Sequence, residues 1–318
     1  MKNILFIGAG ALGVMYADYI QEHDKGASVY FVADPNRIKR YMRDGFSCNG
    51  RACEFSYLPA GNHMESVHKK VVSISEIKEY PENITADLLF FCVKTYGLDD
   101  AIEAVRPYVK PETIVISVMN GISSEEIIRE RLGLRLVLDA LSMGGSILRE
   151  DNQISFAKMG YLYIGAHDES QKGALEQVKG FFAKIQLPYV HHENIQKKMW
   201  EKFMVNVGNN QTSSVYRVAF GPLCDRNEEP YKVAHRAMGE VIAIAAHHGV
   251  EITKEDVEFW DQTAEGLNPD AKSSMLQDVE AGRQTEVEHF AGEVIRRGKQ
   301  WGVPTPVNQM LYEKITKM

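Results

Sequence analysis

The sequence predicts an α/β protein in two domains, a doubly wound parallel sheet followed by an all-helical unit. Three observations carry that expectation. A glycine-rich turn, Gly8-Ala9-Gly10-Ala11-Leu12-Gly13, lies between a short apolar strand and a helical stretch. Continuous apolar segments then alternate with helical ones through the first half, as in a parallel sheet covered on both faces. Near Asn194 the character changes, and from there to Met318 the pattern is almost entirely helical.

The first strand reads Lys2-Asn3-Ile4-Leu5-Phe6-Ile7, and a helix from Leu12 to Gln21 follows the turn. Gly8 permits the tight strand-to-helix turn, Gly10 lets backbone N–H groups approach a pyrophosphate, and Gly13 lets the helix pack close on the sheet. A second strand, Ser28 to Ala33, ends in Asp34, about 20 residues past the last glycine, where a dinucleotide fold places an acidic residue on the ribose. Next come a helical stretch from Arg37 to Gly45, a polar hairpin region over 46–58, and a short strand at Lys70-Val71-Val72. Asp87 leads into the buried strand Leu88 to Val93, followed by a helix from Leu98 to Val105. Ile114 to Met119 is another apolar strand, bounded by Pro111 and Asn120-Gly121. Strand-like segments recur at Gln153 to Phe156, Leu162 to Gly165 and Pro188 to Val190, with a helix at Gly173 to Ile185. Beyond Asn194, Val287, Phe290, Ala291 and Val294 recur at i, i+3, i+4 and i+7, the mark of one buried helix face. The expected domains are therefore 1–193 and 194–318.

At 318 residues the chain exceeds the length at which a single core usually stops growing. Apolar residues at 44% and charged residues at 25% are ordinary for a globular protein. A net charge of −7 with no long basic run indicates neither a nucleic acid nor an anionic membrane as partner. The longest apolar run, Leu88 to Val93, is far too short to span a bilayer, and the N-terminal apolar stretch reads as the first strand, not a leader. Cys48, Cys53, Cys92 and Cys224 form no C-x-x-C pair, so a reduced, cytoplasmic protein is expected. Cys48 and Cys53 could approach in a hairpin, but without further donors nearby they make a poor zinc site, and no metal is expected. Asn83-Ile84-Thr85 matches a glycosylation sequon by chance.

Ligands of an open parallel sheet bind outside the carboxyl ends of its strands. Lys94 follows Val93 there, and Asn120-Gly121 follows Met119; a solvated lysine and a plain turn are the alternatives. In the helical half, Lys202, Asn206 and Asn210 fall at i, i+4 and i+8 along one helix side, amid Trp200, Phe203, Met204 and Val205. Unpaired buried polar groups cost roughly 1–3 kcal/mol each, so such a stripe needs partners, and a polar substrate is one way to supply them. A solvated stripe with Lys202 at the surface is the other reading. Downstream lie Ser273-Ser274-Met275-Leu276-Gln277-Asp278 and Thr285-Glu286; Ser273 or Ser274 suits a helix N-cap, and Thr285 or Glu286 a helix start.

Together these residues resemble the ketopantoate reductase (2-dehydropantoate 2-reductase) family, over essentially the whole chain. The matching elements are Gly8-x-Gly10-x-x-Gly13, Lys94, Asn120-Gly121, Trp200-x-Lys202-x-x-x-Asn206-x-x-x-Asn210, and Ser273 to Asp278 leading to Thr285-Glu286. The resemblance implies a Rossmann-type domain that holds NADP or NAD on Gly8, Ala9, Gly10, Ala11, Leu12, Gly13, Asp34, Lys94 and Asn120. It also implies an all-helical domain, similar to the C-terminal domain of 6-phosphogluconate dehydrogenase, that binds a small 2-keto acid. Lys202 matches the family's general acid and Glu286 the carboxylate that orients substrate and lysine. Asn120, Asn206, Asn210 and Ser274 match substrate-binding positions. A homodimer is left open as the assembly.

Two departures stand out. Most members carry an arginine at the end of the second strand to pair with the 2′-phosphate of NADP; here Asp34 stands there and leans towards NAD, although Arg37, Lys39 and Arg40 lie just beyond. Some members also have pocket asparagines where this chain has Phe220 and Ala271. The leading expectation is reduction of ketopantoate to (R)-pantoate for pantothenate and coenzyme A synthesis. A D-2-hydroxyacid dehydrogenase of the D-mandelate type is its rival within the superfamily. A non-catalytic dinucleotide sensor is the reading from another class, and Lys202 and Glu286 argue against it, because a sensor needs no proton donor.

Overall fold

A computed structural model describes residues 1–61 and 84–318; the strand expected at Lys70-Val71-Val72 and the Asn83 sequon lie outside the described residues. The chain divides into two compact units, Met1–Ile195 and Gln196–Met318.

Among the described residues, twelve strands of the first unit follow in order: β1 (Asn3–Ile7), β2 (Ser28–Ala33), β3 (Phe46–Cys48), β4 (Arg51–Cys53), β5 (Ser56–Pro59), β6 (Leu88–Phe91), β7 (Ile114–Ser117), β8 (Val137–Met143), β9 (Ser146–Glu150), β10 (Gln153–Lys158), β11 (Tyr161–Gly165) and β12 (Tyr189–His191). Its helices are α1 (Ala11–His23), α2 (Pro35–Asp44), α3 (Leu98–Val105), α4 (Ser124–Leu132) and α5 (Lys172–Lys184). Eight strands make one sheet in the order β12-β11-β8-β7-β6-β1-β2-β5, and four make a second in the order β4-β3-β10-β9.

The strands from β5 through β8 pair in parallel, as expected. β11, however, runs antiparallel to β8, with β12 parallel to β11. The connection from β8 to β11 passes through the β9–β10 hairpin and not a helix, and an antiparallel pair needs no helical crossover. The hairpin region also divides. β3 and β4 pair across Asn49 and Gly50, both left-handed as an Asn-Gly turn prefers, whereas β5 joins the main sheet beside β2.

Successive side chains of β1 point to opposite faces. Ile4 and Phe6 enter the core shared with α1 and α5, while Leu5 and Ile7 enter the one shared with α3 and α4. Phe6 stacks on Phe90 with centroids 4.7 Å apart. Both faces of the central strands are thereby dry, which explains their unbroken apolar sequences.

The second unit is helical: α6 begins at the junction (Ile195–Val205), followed by α7 (Gln211–Tyr216), α8 (Phe220–Cys224), α9 (Glu229–His247), α10 (Lys254–Glu265), α11 (Ser274–Glu280), α12 (Ala291–Trp301) and α13 (Pro306–Ile315). The long α9 packs against α7, α8, α12 and α13. Val287, Phe290, Ala291 and Val294 are all buried, but Val287 belongs to a short 3-10 turn and α12 starts only at Ala291. Gln211 and Asn308, both 0% exposed, are hydrogen-bonded to each other at 3.1 Å. Asn308 Nδ2 also donates to Glu240 Oε2 at 2.7 Å, and Gln211 Oε1 accepts from the Ala291 amide at 3.0 Å. These satisfied buried groups lock α7, α9, α12 and α13 in one arrangement.

Candidate active site

The carboxyl ends of β1, β6 and β7 are level. Ile7 pairs with Phe91 and Phe91 with Ser117, and the next amides continue the ladder, Cys92 N to Ile7 O at 2.8 Å and Val118 N to Phe91 O at 3.0 Å. The glycine turn, Lys94 and Asn120 thus share one edge of the sheet. That edge includes the point between β1 and β6 where the strand order reverses, the usual ligand position in such sheets.

The three glycines of the turn meet different surroundings. Gly8 has φ +101°, and a Cβ there would lie 2.6 Å from the Cys92 carbonyl carbon. A Cβ on Gly13 would lie 2.2 Å from the Gly8 carbonyl oxygen. Both are required by the chain's own packing. At Gly10 a Cβ would meet only the Cys92 carbonyl oxygen, at 3.6 Å, which is ordinary contact. Gly10 caps α1 without a side-chain hydrogen bond, and the first turn of that helix carries no acidic residue. Lys94, Asn120 and the left-handed Gly121 follow their strands, each half-buried.

Asp34 is the N-cap of α2. Its Oδ1 accepts from the amides of Asn36 and Arg37, each at 3.0 Å, and its Oδ2 pairs with Arg37 Nε at 3.2 Å. The carboxylate therefore terminates a helix as well as standing at the end of β2, a capping role that the chain spacing did not reveal. Arg149, on β9, donates from Nη1 to the Ala9 carbonyl at 2.7 Å. No motif marks that arginine; only the fold brings the second sheet to the glycine turn.

In the second unit, the stripe of Lys202, Asn206 and Asn210 does not lie on a uniform α-helix. Asn206–Asn210 form a π-helical turn between α6 and α7. Such turns are rare and often sit at functional positions. Gly208 seats the wider turn on α9, since a Cβ there would lie 2.6 Å from the Met238 side chain. Asn210 Nδ2 faces Asn206 Oδ1 at 3.4 Å. Lys202 is half-buried, and the buried Phe203 and Met204 root the helix beside it. The neighbouring Glu201 is committed elsewhere: its Oε2 accepts from Lys198 Nζ at 2.7 Å and from Trp260 Nε1 at 3.1 Å.

Glu286 is only 4% exposed. Its segment lies along the α6–α7 rod, because Phe290 meets Phe203 edge-on at 6.3 Å and Ala291 N reaches Gln211. Ser273 is the N-cap of α11 and accepts from Leu276 N at 3.2 Å, which leaves Ser274 exposed as the first helical residue. α11 packs on both the π-turn and α7. Lys202, Asn206, Asn210, Ser274 and Glu286 thus belong to neighbouring elements of one unit.

A buried acid near the Asn120 loop carried no sequence signal. Glu125, 3% exposed, sits in the first turn of α4 and accepts from Ser124 Oγ at 2.9 Å, and that hydroxyl lies 2.9 Å from Ser117 Oγ at the end of β7. Burial, reinforced by the Asp139 carboxylate, pushes its pKa up to about 8.

The family model described as ketopantoate reductase PanE/ApbA matches residues 4–169, and its C-terminal counterpart matches residues 194–318. A 2-dehydropantoate 2-reductase of Archaeoglobus fulgidus is 28% identical over 313 residues, covering 98% of this chain and 96% of that protein. The crystal structure of a PanE/ApbA family ketopantoate reductase from Ralstonia eutropha has the same fold, with a TM-score of 0.77 at 22% identity over 99% of this chain and 97% of the other. So does a D-mandelate dehydrogenase in a ternary structure with NADH and anilino(oxo)acetate, with a TM-score of 0.81 at 20% identity over 99% and 97%. Among the described residues no helix is long and apolar enough to cross a membrane.

Proposed function

The chain belongs to the ketopantoate reductase family and is an oxidoreductase, and we propose that it reduces the C2 carbonyl of a 2-keto acid with a nicotinamide dinucleotide. The observation that carries this reading is the half-buried Lys202 followed by two amides that face each other on a π-turn. Such a polar row on an otherwise apolar helix suits an anionic, oxygen-rich substrate.

The residues of the first unit fit the dinucleotide. Gly10 is not demanded by packing, and the room that its missing side chain leaves, beside the uncapped first turn of α1, suits a pyrophosphate. Gly8, Ala9, Gly10, Ala11, Leu12 and Gly13 would hold it, with Asp34 at the ribose and Lys94 and Asn120 towards the nicotinamide. When bound in its reduced form, that cofactor supplies the hydride. Asp34 favours NAD, because its Oδ2 pairs with an exposed i,i+3 arginine that ribose hydroxyls can displace at a cost of roughly 0–1 kcal/mol.

Hydride addition builds negative charge on the ketone oxygen. The ammonium of Lys202 stabilises that charge by a hydrogen bond and quenches it by giving up a proton. Glu286 orients Lys202 and the substrate. Asn206, Asn210 and Ser274 bind the substrate's carboxylate and hydroxyl groups, and Asn120 serves the carbonyl region. The preferred substrate is ketopantoate, yielding (R)-pantoate for pantothenate and coenzyme A synthesis. A bulkier apolar 2-keto acid is the second reading: by the resemblance, Phe220 and Ala271 stand where some family members have asparagines, which makes the pocket less polar. Steady-state rates with ketopantoate, phenylglyoxylate and 2-ketoisocaproate, each with NADH and NADPH, test both. Preference for ketopantoate supports the first reading, preference for phenylglyoxylate the second, and no turnover of any keto acid overturns both.

A further inference from the structure

The β3–β4 hairpin alone offers two thiols, but folding adds a third donor from α1. Asp18, Cys48 and Cys53 bring one carboxylate oxygen and two Sγ atoms within 4.8 Å of one another. Cys48 is 3% exposed and Asp18 7%, while Cys53 at the hairpin's end is half-buried. We propose that these three residues form a binding site for a soft divalent cation, with zinc as the metal of choice.

The donor set has the chemistry for it. Two thiolates and a carboxylate suit zinc and exclude magnesium and calcium, which take oxygen ligands. Zinc bonds of about 2.3 Å to sulfur and 2.0–2.2 Å to oxygen set tetrahedral donors roughly 3.5–3.8 Å apart, so these three, within 4.8 Å of one another, would close in by up to about 1 Å on binding, with the half-buried Cys53 the most exposed of them. Binding releases the two thiol protons to solvent, and water completes the tetrahedron. Two thiolates, one carboxylate and Zn²⁺ sum to −1, and Arg51, shared between Asp18 and Glu22, offsets part of that charge: its Nη2 donates to Asp18 Oδ2 at 2.7 Å while its Nη1 pairs with Glu22 at 3.2 Å. A carboxylate oxygen of Asp18 would meet the metal, with Arg51 holding the group's orientation. A bound ion would pin the hairpin to α1, the helix that starts at the glycine turn.

The test is an anaerobic Co²⁺ titration of the full-length, reduced, chelator-treated protein, followed by displacement with Zn²⁺. Expected are a thiolate-to-cobalt charge-transfer band saturating at one equivalent per chain, and slower alkylation of the half-buried Cys53 when metal is bound. Cys48→Ser and Cys53→Ser should each weaken binding by roughly 100-fold and Asp18→Asn by roughly tenfold. A Cys92→Ser/Cys224→Ser variant, which leaves the site intact, should bind as the wild type does. Absence of the band in the wild type or in that variant would overturn the proposal. So would a band that persists when both Cys48 and Cys53 are replaced.

Discussion

The backbone amide of Phe220 donates to the carbonyl of Ala271 at 3.0 Å, so the two positions that the resemblance singles out for pocket polarity are one joined feature. Phe220 opens α8 and Ala271 lies just before the Ser273 cap of α11. A change at either one alters the same patch near Ser274. Ala271→Asn should therefore raise the kcat/KM ratio of ketopantoate over phenylglyoxylate by three- to tenfold, the worth of about one added hydrogen bond. An unchanged ratio would remove this patch from substrate selection.

The capping role of Asp34 dictates how its charge must be tested. Asparagine caps a helix about as well as aspartate, so Asp34→Asn removes the charge while keeping the bonds from Asn36 and Arg37. Repulsion between unit charges at ~4 Å and an effective dielectric of ~20 is about 4 kcal/mol before screening. The substitution should shift the NADPH/NADH ratio of kcat/KM towards NADPH by at least tenfold with little change in thermal midpoint. A wild-type protein that already prefers NADPH strongly would contradict the reading and pass control to Arg37 and Arg40.

Gly10 and Gly13 should fail in different ways. A methyl group on Gly10 touches only a carbonyl oxygen at 3.6 Å, so Gly10→Ala should fold normally and lose cofactor affinity by tenfold or more. A methyl on Gly13 would collide with Gly8 at 2.2 Å, so Gly13→Ala should lower stability by roughly 1–3 kcal/mol. Cofactor fluorescence titration and thermal unfolding of the two variants separate the roles. Equal cofactor affinity in Gly10→Ala and wild type would remove the pyrophosphate from this turn.

Glu125 makes stability depend on pH. Its pKa is raised in the folded state from 4.5 to about 8, so the native chain binds the proton more tightly than the unfolded one. The contribution is present in full below pH ~4.5 and is lost as pH rises towards ~8. Glu125→Gln, which keeps the shape without the charge, should flatten the decline of thermal midpoint between pH 5 and 9. A variant with the wild-type slope would show that Glu125 does not titrate in that window.

Legibility in the sequence follows how local each feature is. The glycine turn, β1, β2 and α3 are each set by contiguous apolar runs and glycines, and the structure matches them closely. α4 is short and charged, β9 is mostly exposed, and β8 turns to meet an antiparallel partner, so none announces itself by periodicity. The sequence spacing of Lys202, Asn206 and Asn210 implied a plain α-helix, because nothing local marks the π-turn; Gly208 within it packs against Met238, about 30 residues away. Arg149 and Glu125 were hidden for the same reason: what makes them notable is the distant Ala9 and Asp139, not their own neighbours.

In the proposed reaction Lys202 gives the proton to the ketone oxygen. The most direct test of that step is single-turnover reduction by Lys202→Ala, with cofactor affinity measured in parallel on the same preparation. Removal of a general acid costs roughly 10²–10⁴-fold in rate, and the expected result is a loss of that size with nearly unchanged cofactor affinity. A variant that reduces the keto acid at close to the wild-type rate would contradict the account.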